Sequence, residues 1–106
     1  MGLFDFLRKQ SIDEGVEEYK ATPGAILLDV RTRKEHRDGH IPGSKNIPLD
    51  SIEKVAGLAP DKNTPLFVYC QSGGRSSQAA SILKRAGYAN VKNIGGFGAY
   101  TGKVKK

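Results

Sequence analysis

Apolar residues in this sequence occur in two patterns, short unbroken runs and stretches in which they recur every three or four positions. Unbroken runs of about four to six residues are typical of strands that are buried on both faces of a parallel sheet. Such runs predict strands at residues 25–30, 66–69 and 91–94. A shorter extended segment is expected at the sheet edge, over residues 44–47 and just before Pro48.

Apolar residues at helical spacing predict helices between these strands. The predicted helices cover residues 12–19, 33–38 and 76–86, with a shorter one from Asp50 to about 57–60 and a helical turn at the end of 95–100. Two of them begin with a capping box, at Ser11 to Glu14 and at Thr32 to Glu35. In this motif a hydroxyl and a carboxylate satisfy backbone NH groups that have no partner within the helix.

Strands that alternate with helices indicate an α/β fold. We expect a three-layer α/β/α arrangement with a central, mostly parallel sheet of about five strands. A chain of 106 residues provides one domain with one core. We place this domain at residues 11–100, after an N-terminal extension at 1–10 and before a basic C-terminal tail at 101–106.

The N-terminal extension carries a cluster of apolar residues, Leu3, Phe4, Phe6 and Leu7. We expect the cluster to pack against the domain or to fray, and a membrane-surface or partner-docking helix stays open as the alternative. No stretch of the sequence has the length and apolarity of a membrane span or of a secretory signal. The single cysteine cannot form an internal disulfide, which favours a reducing compartment. We therefore expect a cytoplasmic protein with no membrane span.

Charge is distributed unevenly along the chain. Residues 1–53 carry eight Lys and Arg against ten Asp and Glu, whereas residues 54–106 carry nine against Asp61 alone. A positive field around a cleft raises the local concentration of anionic substrates. Because no nucleic-acid-binding motif accompanies these charges, we expect a solvated basic surface and no nucleic-acid partner.

The only cysteine lies where a predicted strand gives way to a predicted helix, in the segment Cys70-Gln71-Ser72-Gly73-Gly74-Arg75. Open α/β sheets bind ligands at this edge. Gly73 and Gly74 allow positive φ, so that successive backbone NH groups can form an anion-binding nest before the helix. These groups and Arg75 would favour a thiolate at Cys70. The alternative is that Cys70 is only a small buried apolar residue.

Six motifs, in this order and spacing, are similar to those of single-domain rhodaneses, which are sulfurtransferases. They are Asp29-Val30-Arg31, Glu35, Gly39-His40-Ile41-Pro42-Gly43, Asn46-Ile47-Pro48, the segment from Cys70 to Arg75, and Gly95-Gly96-Phe97. The resemblance spans about residues 11–100. It departs at Tyr100, where many members of that family carry Trp.

The resemblance implies sulfur transfer in two steps. The Cys70 thiolate would take the outer sulfur of a donor such as thiosulfate and carry it as a persulfide, which cyanide or a thiol would then accept. The anionic donor would be bound by Gln71, Ser72, Gly73, Gly74 and Arg75. Arg75 would attract the sulfonate end of the donor, or would be a surface charge at the helix start. A protein sulfur carrier is a further candidate partner, and the mechanism needs no metal or organic cofactor.

Other polar residues near the expected site have structural interpretations. Asp29 and Arg31 flank a strand end, where we expect a structural ion pair rather than a catalytic acid and base. His40 is expected to bond to backbone groups in its turn rather than to act as a base. His36 is expected at the surface. The two histidines have the spacing of metal ligands, but no third ligand is evident, so no metal site is expected.

Two other function classes remain open on the sequence. Cysteine phosphatases and arsenate reductases of related structure have a Cys-x5-Arg loop, whereas four residues separate Cys70 from Arg75 here. A smaller ring of NH groups has room for one sulfur atom but too little for three phosphoryl oxygens. The other alternative is a non-catalytic rhodanese-like module that binds a partner, although such modules usually lack the cysteine.

Overall fold

The computed structural model describes residues 10–106. The apolar cluster at residues 3–7, and all but the last residue of the predicted extension, lie outside the described residues. Within this range the strands are β1 (Ile26–Asp29), β2 (Lys45–Asn46), β3 (Leu66–Cys70) and β4 (Val91–Gly96). They form one sheet in the order β2-β1-β3-β4, and every neighbouring pair runs parallel.

Among residues 10–106 the α-helices are α1 (Ile12–Ala21), α2 (Arg33–Asp38), α3 (Val55–Leu58) and α4 (Gly74–Arg85). Two 3-10 helices cover Leu49–Lys54 and Phe97–Ala99. Helix α2 has the predicted bounds, whereas α4 begins two residues earlier than predicted, because Gly73 turns the chain directly into the helix. In the part of the chain that the structure describes, no helix combines the length and apolarity needed to cross a membrane.

Both predicted capping boxes are present. At the start of α1, Ser11 Oγ accepts a hydrogen bond from the NH of Glu14 (3.2 Å), and the Glu14 carboxylate accepts one from the NH of Ser11 (3.1 Å). The same two bonds join Thr32 and Glu35 at the start of α2, at 3.2 and 2.9 Å. A capping side chain of this kind stabilises a helix by about 1 kcal/mol.

Helices cover both faces of the sheet, which confirms the expected three layers. Along β3, Leu66, Val68 and Cys70 face one core, and Phe67 and Tyr69 face the other. Helix α4 contributes to the first core and helix α1 to the second. Each apolar side chain that is fully buried in this way stabilises the fold by about 1.5–3 kcal/mol.

In the described part of the chain the sheet has four strands, where about five were expected. After β4 the chain forms a 3-10 helix at Phe97–Ala99, where a helical turn was predicted. Beyond that turn, the backbone of Lys105 pairs with His40 as a single antiparallel bridge, which is too short to form a strand. The NH of Thr101 also donates to Asp13 (3.0 Å). The predicted basic tail at residues 101–106 is therefore held against the domain at two points.

The parallel arrangement brings the carboxyl ends of β1, β3 and β4 to one edge of the sheet. Strand β1 ends there at Asp29, and Cys70 at the end of β3 pairs with Gly96 at the end of β4. The register of β4 shifts by one residue between Asn93 and Gly95, which is a bulge. Bulges redirect side chains near functional sites. This edge carries the candidate site.

Helix α1 approaches β4 most closely at Gly15, and this contact gives a testable prediction. A Cβ atom at Gly15 would lie 2.5 Å from the Cβ of Ile94, so we expect Gly15→Ala to destabilise the fold by about 1–3 kcal/mol. A Cβ atom at Gly57 in α3 would meet nothing within 4 Å beyond its chain neighbours and the backbone of its own helix. The matched control, Gly57→Ala, should be neutral or stabilising by up to about 1 kcal/mol. Urea unfolding measures both, and a Gly15→Ala variant as stable as wild type would contradict the close packing.

Candidate active site

Cys70 is the last residue of β3, and its side chain belongs to the core beneath α4. Only 1% of the residue is exposed. Its Sγ atom accepts a hydrogen bond from the backbone NH of Gly73 (2.9 Å) and lies 3.3 Å from Ser76 Oγ. The sulfur therefore lies inside the turn made by the residues that follow it, with hydrogen-bond donors directed at it.

Gly73 makes this tight turn possible. Its φ is +99°, in the left-handed region where a residue with a Cβ is strained. Helix α4 begins at the next residue, so the free NH groups of its first turn lie close to the sulfur. The positive end of the helix dipole favours a negative charge at this point.

Two opposing effects set the pKa of the Cys70 thiol. Burial is the largest single effect and raises the pKa, because it removes the charged form from water. Hydrogen bonds from the Ser76 hydroxyl and from the backbone NH groups of Ser76, Gly73 and Ser72 lower it. Together they outweigh burial, and the pKa of Cys70 lies below its ordinary value. A lowered pKa is what a nucleophilic cysteine requires.

The glycine-rich segment after β4 supports the loop. A Cβ atom at Gly96 would lie only 2.6 Å from the carbonyl oxygen of Gln71 and 2.8 Å from the Cα of Ser72. The NH of Gly98 donates to the same Gln71 carbonyl (3.1 Å). Position 96 of the Gly95-Gly96-Phe97 motif is therefore restricted to glycine on steric grounds, because a side chain there would displace the loop.

The predicted loop residues lie together, and most of them form its outer surface. Gln71, Ser72 and Gly74 are exposed, and Gly73 and Arg75 are partly buried. The guanidinium of Arg75 forms a two-pronged ion pair with Glu35 of α2, with nitrogen to oxygen distances of 2.7 and 2.9 Å. A paired arginine presents less net positive charge than expected, so donor attraction by Arg75 stays a prediction.

Glu35 is a residue of the site that the sequence indicated only as a helix cap and as part of a motif. Hydrogen bonds from Arg75 are the largest effect on the pKa of Glu35 and lower it. Burial raises the pKa, and hydrogen bonds from Thr32 lower it further, so that it falls from 4.5 to about 2. The side chains of Glu35 and Arg75 are 31% and 36% exposed. The pair joins α2 to the first turn of α4 beside the loop.

Asp29 and Arg31 form a buried ion pair at the end of β1. Arg31 Nη2 lies 2.7 Å from Asp29 Oδ2, and Arg31 Nε lies 3.0 Å from Oδ1. Arg31 also donates to the carbonyl oxygen of Gly39 (2.8 Å) and to Oε1 of Gln71 (3.2 Å). Burial raises the pKa of Asp29, but hydrogen bonds from Arg31 and His36 outweigh it and lower the pKa overall. The pair therefore links β1 to the end of α2 and to the loop.

Tyr69 completes this buried network on the opposite face of β3 from the sulfur. Its hydroxyl donates to Asp29 Oδ2 (3.0 Å) and accepts from the NH of Ile41 (3.2 Å). Burial raises the pKa of Tyr69 to about 12, so the hydroxyl stays protonated as a donor. The Arg31 guanidinium lies over the ring of Phe97, at 4.3 Å from its centroid.

The two histidines bond to neighbouring groups at α2. His40 Nδ1 lies 2.7 Å from the carbonyl oxygen of His36, and its backbone pairs with Lys105. The expectation that His36 lies at the surface was wrong: its side chain is 19% exposed, and its Nδ1 lies 2.9 Å from Asp29 Oδ2. The buried carboxylate draws the imidazole inward. Over residues 10–106, no cluster of three or more His, Cys, Asp or Glu side chains could hold a metal ion.

Two contacts of the site were not singled out in the sequence. Ser76, in the first turn of α4, is fully buried beside the sulfur. Asn93, in β4, places its Oδ1 atom 2.8 Å from Ser76 Oγ. A hydroxyl six residues after a loop cysteine was a usable signal for Ser76. Asn93 had no local signal, because only the pairing of β3 with β4 brings it to the loop.

A cleft of about 440 Å³ lies beside the loop, bounded by Ser72 and Gly73 on one side and by Lys92 and Asn93 on the other. Lys92 also forms an ion pair with Glu18 of α1. A cavity of about 510 Å³ between α1 and residues 100–103 contains none of the loop residues. Of these two cavities, only the first contacts the loop, through Ser72 and Gly73.

A parallel α/β sheet that holds an ionisable cysteine in a turn of backbone NH groups defines a class of cysteine-dependent proteins. This chain belongs to the family of rhodanese-like domains, whose family model matches residues 11–103. It is similar to thiosulfate sulfurtransferase PspE of Escherichia coli (strain K12), with 43% identity over 70 residues that cover 65% of this chain and 67% of the relative. It is also 39% identical to the protein YqhL of Bacillus subtilis (strain 168) over 92 residues, 84% of this chain and 71% of that one.

Solved structures show the same fold. A rhodanese with anions from E. coli superimposes with a TM-score of 0.73 and 37% identity, covering 77% of this chain and 98% of that chain. A rhodanese-like domain protein from Staphylococcus aureus gives a TM-score of 0.77 at 28% identity, covering 91% and 94% of the two chains.

The Glu35 and Arg75 pair predicts a specific dependence of stability on pH. Because the pKa of Glu35 falls from 4.5 to about 2 on folding, the pair stabilises the fold above about pH 4.5 and this contribution is lost as the pH falls toward about 2. We expect Glu35→Gln, which retains a capping side chain, to be less stable at neutral pH and to lose less stability over that window. Glu53→Gln, at an exposed carboxylate, is the matched control. Urea unfolding at several pH values measures this, and an unchanged slope in Glu35→Gln would refute the contribution.

Proposed function

We propose that this protein is a sulfurtransferase that moves a sulfane sulfur from a donor such as thiosulfate to cyanide or a thiol, through a persulfide on Cys70. The observation that carries the proposal is the geometry at the sulfur: Sγ lies 2.9 Å from the NH of Gly73 and 3.3 Å from Ser76 Oγ, in a turn whose residues Ser72 and Gly73 line a cleft. Membership of the rhodanese-like family and the similarity to a thiosulfate sulfurtransferase support it.

In the first step the Cys70 thiolate attacks the outer sulfur of thiosulfate. A new bond forms between Sγ and that sulfur, the bond between the two sulfur atoms of thiosulfate breaks, and sulfite leaves with the electron pair. In the second step cyanide or a thiolate attacks the outer sulfur of the persulfide, and the Cys70 thiolate leaves. The cycle uses no cofactor, because the electron pairs balance within the two displacements.

The backbone of the loop stabilises the anions of this cycle. The NH groups of Ser72, Gly73 and Ser76 already lower the pKa of the thiol against the effect of burial, and a persulfide anion one bond further out would meet the same amide-lined turn. Arg75 is held at the rim of the loop by its ion pair with Glu35. Its charge therefore attracts an anionic donor to the rim and does not act directly on the sulfur.

The size of the loop favours sulfur over phosphate. Four residues lie between Cys70 and Arg75, and the close contact of Gly96 with Gln71 and Ser72 prevents the loop from widening on that side. A turn whose NH already lies 2.9 Å from Sγ accommodates one added sulfur atom better than a phosphoryl group. A non-catalytic module has no need for a thiol with a lowered pKa, which favours an enzyme.

The acceptor and the compartment follow from the same site. The cleft beside the loop admits a small acceptor, and a protein sulfur carrier is the alternative acceptor, presenting its terminal sulfur at the same opening. Free Cys70 is the catalytic group, so we propose the cytoplasm as the compartment, where thiols stay reduced.

Thiocyanate formation from thiosulfate and cyanide tests the proposed activity. We expect wild type to turn over and Cys70→Ser to lose more than about 10³-fold in kcat/KM, because serine cannot form the persulfide. Ser81→Ala, at an exposed serine on α4, is the control and should keep full activity. The same preparations should leave p-nitrophenyl phosphate uncleaved. Cys70-dependent hydrolysis of the phosphate, without sulfur transfer from several sulfane donors, would overturn the assignment.

A further inference from the structure

Ser76 Oγ lies within hydrogen-bond distance of three atoms that accept hydrogen bonds. They are Asn93 Oδ1 at 2.8 Å, the carbonyl oxygen of Gly73 at 3.1 Å and Cys70 Sγ at 3.3 Å. A serine hydroxyl has one hydrogen to donate. Ser76 is fully buried, so the three atoms compete for that single hydrogen away from bulk water.

The amide of Asn93 is held in one orientation by its neighbours. The NH of Gly95 donates to Asn93 Oδ1 (3.0 Å), and Asn93 Nδ2 donates to the carbonyl oxygen of Gly73 (3.3 Å). If the amide were flipped, both bonds would be lost. The Asn93 NH2 group would then face the NH group of Gly95, and both of these groups are donors. The bulge in β4 creates this arrangement, because it turns the backbone at Gly95 back toward the Asn93 side chain. Asn93 therefore presents an oxygen, not a nitrogen, to Ser76.

The competition for the hydrogen reduces to two atoms. The Gly73 carbonyl is already bonded to the NH of Ser77 (3.0 Å) and to Asn93 Nδ2. When Cys70 is a thiol, its own hydrogen can be donated to Ser76 Oγ while Ser76 donates to Asn93, so every group is satisfied. When Cys70 is a thiolate, the Ser76 hydrogen must turn toward the sulfur, and its bond to Asn93 is lost.

We propose that Asn93 is a positioning residue that competes with the Cys70 sulfur for the Ser76 hydrogen and thereby sets how readily the thiol ionises. The change requires only rotation about the Cβ–Oγ bond of Ser76, and the thiol proton leaves to solvent. Once a persulfide forms, Sγ is a neutral divalent sulfur and a weak acceptor, so the Ser76 hydrogen returns to Asn93. The inference deepens the proposed function, because it concerns the same nucleophile.

Other charged groups around Cys70 stay in place in this scheme. They are Arg75 on α4 and its partner Glu35 on α2, Asp29 and Arg31 at the end of β1, His36 bonded to Asp29, and Lys92 on β4 with its partner Glu18. None of them bonds to Asn93 in the described residues. A change at Asn93 that acts through Ser76 therefore leaves the charges around the sulfur unaltered.

The rate of alkylation of Cys70 by iodoacetamide against pH tests the proposal. We expect Asn93→Ala to lower the pH midpoint by about half to one pH unit, which is about three- to tenfold more thiolate at a fixed lower pH. Asn93→Asp, with a stronger acceptor and a negative charge, should raise the midpoint. Asn90→Ala, at an exposed asparagine that donates to Asn63, is the matched control and should not move it. Alkylation needs no sulfur donor, so the result is independent of whether the protein transfers sulfur.

A double-mutant comparison separates this role from a general structural one. Ser76→Ala should raise the midpoint, and in that background Asn93→Ala should have no further effect, because Asn93 acts through Ser76. Thermal unfolding confirms that each variant is folded. The proposal fails if Asn93→Ala leaves the midpoint unchanged or raises it, or if it lowers the midpoint equally when Ser76 is absent.

Discussion

The structure depends on one constraint, that a buried sulfur must receive enough hydrogen bonds to carry a charge. Burial raises the pKa of Cys70, and donors from Ser76, Gly73 and Ser72 overcome it. These donors converge because a strand ends, a left-handed glycine turns the chain, and a helix begins within four residues of the cysteine. The same features that bury the thiol therefore also lower its pKa.

Two ion pairs hold the surroundings of that turn. The buried pair of Asp29 and Arg31 reaches the loop through Gln71, and the partly exposed pair of Glu35 and Arg75 joins α2 to the first turn of α4. A buried pair of this kind contributes little net stability, but loss of one partner is costly because it leaves a charge without compensation. Their main contribution is to fix α2 and the loop relative to the sheet, so that the donors around the sulfur keep their positions.

Local signals in the sequence predicted much of this arrangement. The capping boxes defined the start of α1 and α2, apolar runs located β1, β3 and β4, and Gly73 with Gly74 indicated the turn after Cys70. The expected count of about five strands was wrong, because the described residues form a sheet of four. The inward position of His36, the partner of Arg75 and the role of Asn93 depend on contacts between residues that are 7 to 40 positions apart. Such contacts are set by the packing of elements and leave no periodic signal in the chain.

The central claim is that Cys70 carries the transferred sulfur covalently. Intact mass spectrometry after incubation with thiosulfate and removal of excess donor tests it most directly. The account predicts that wild type gains the mass of one sulfur atom, that cyanide or dithiothreitol removes it, and that Cys70→Ser gains nothing. Turnover without any such adduct on wild type, or an adduct that persists in Cys70→Ser, would contradict it.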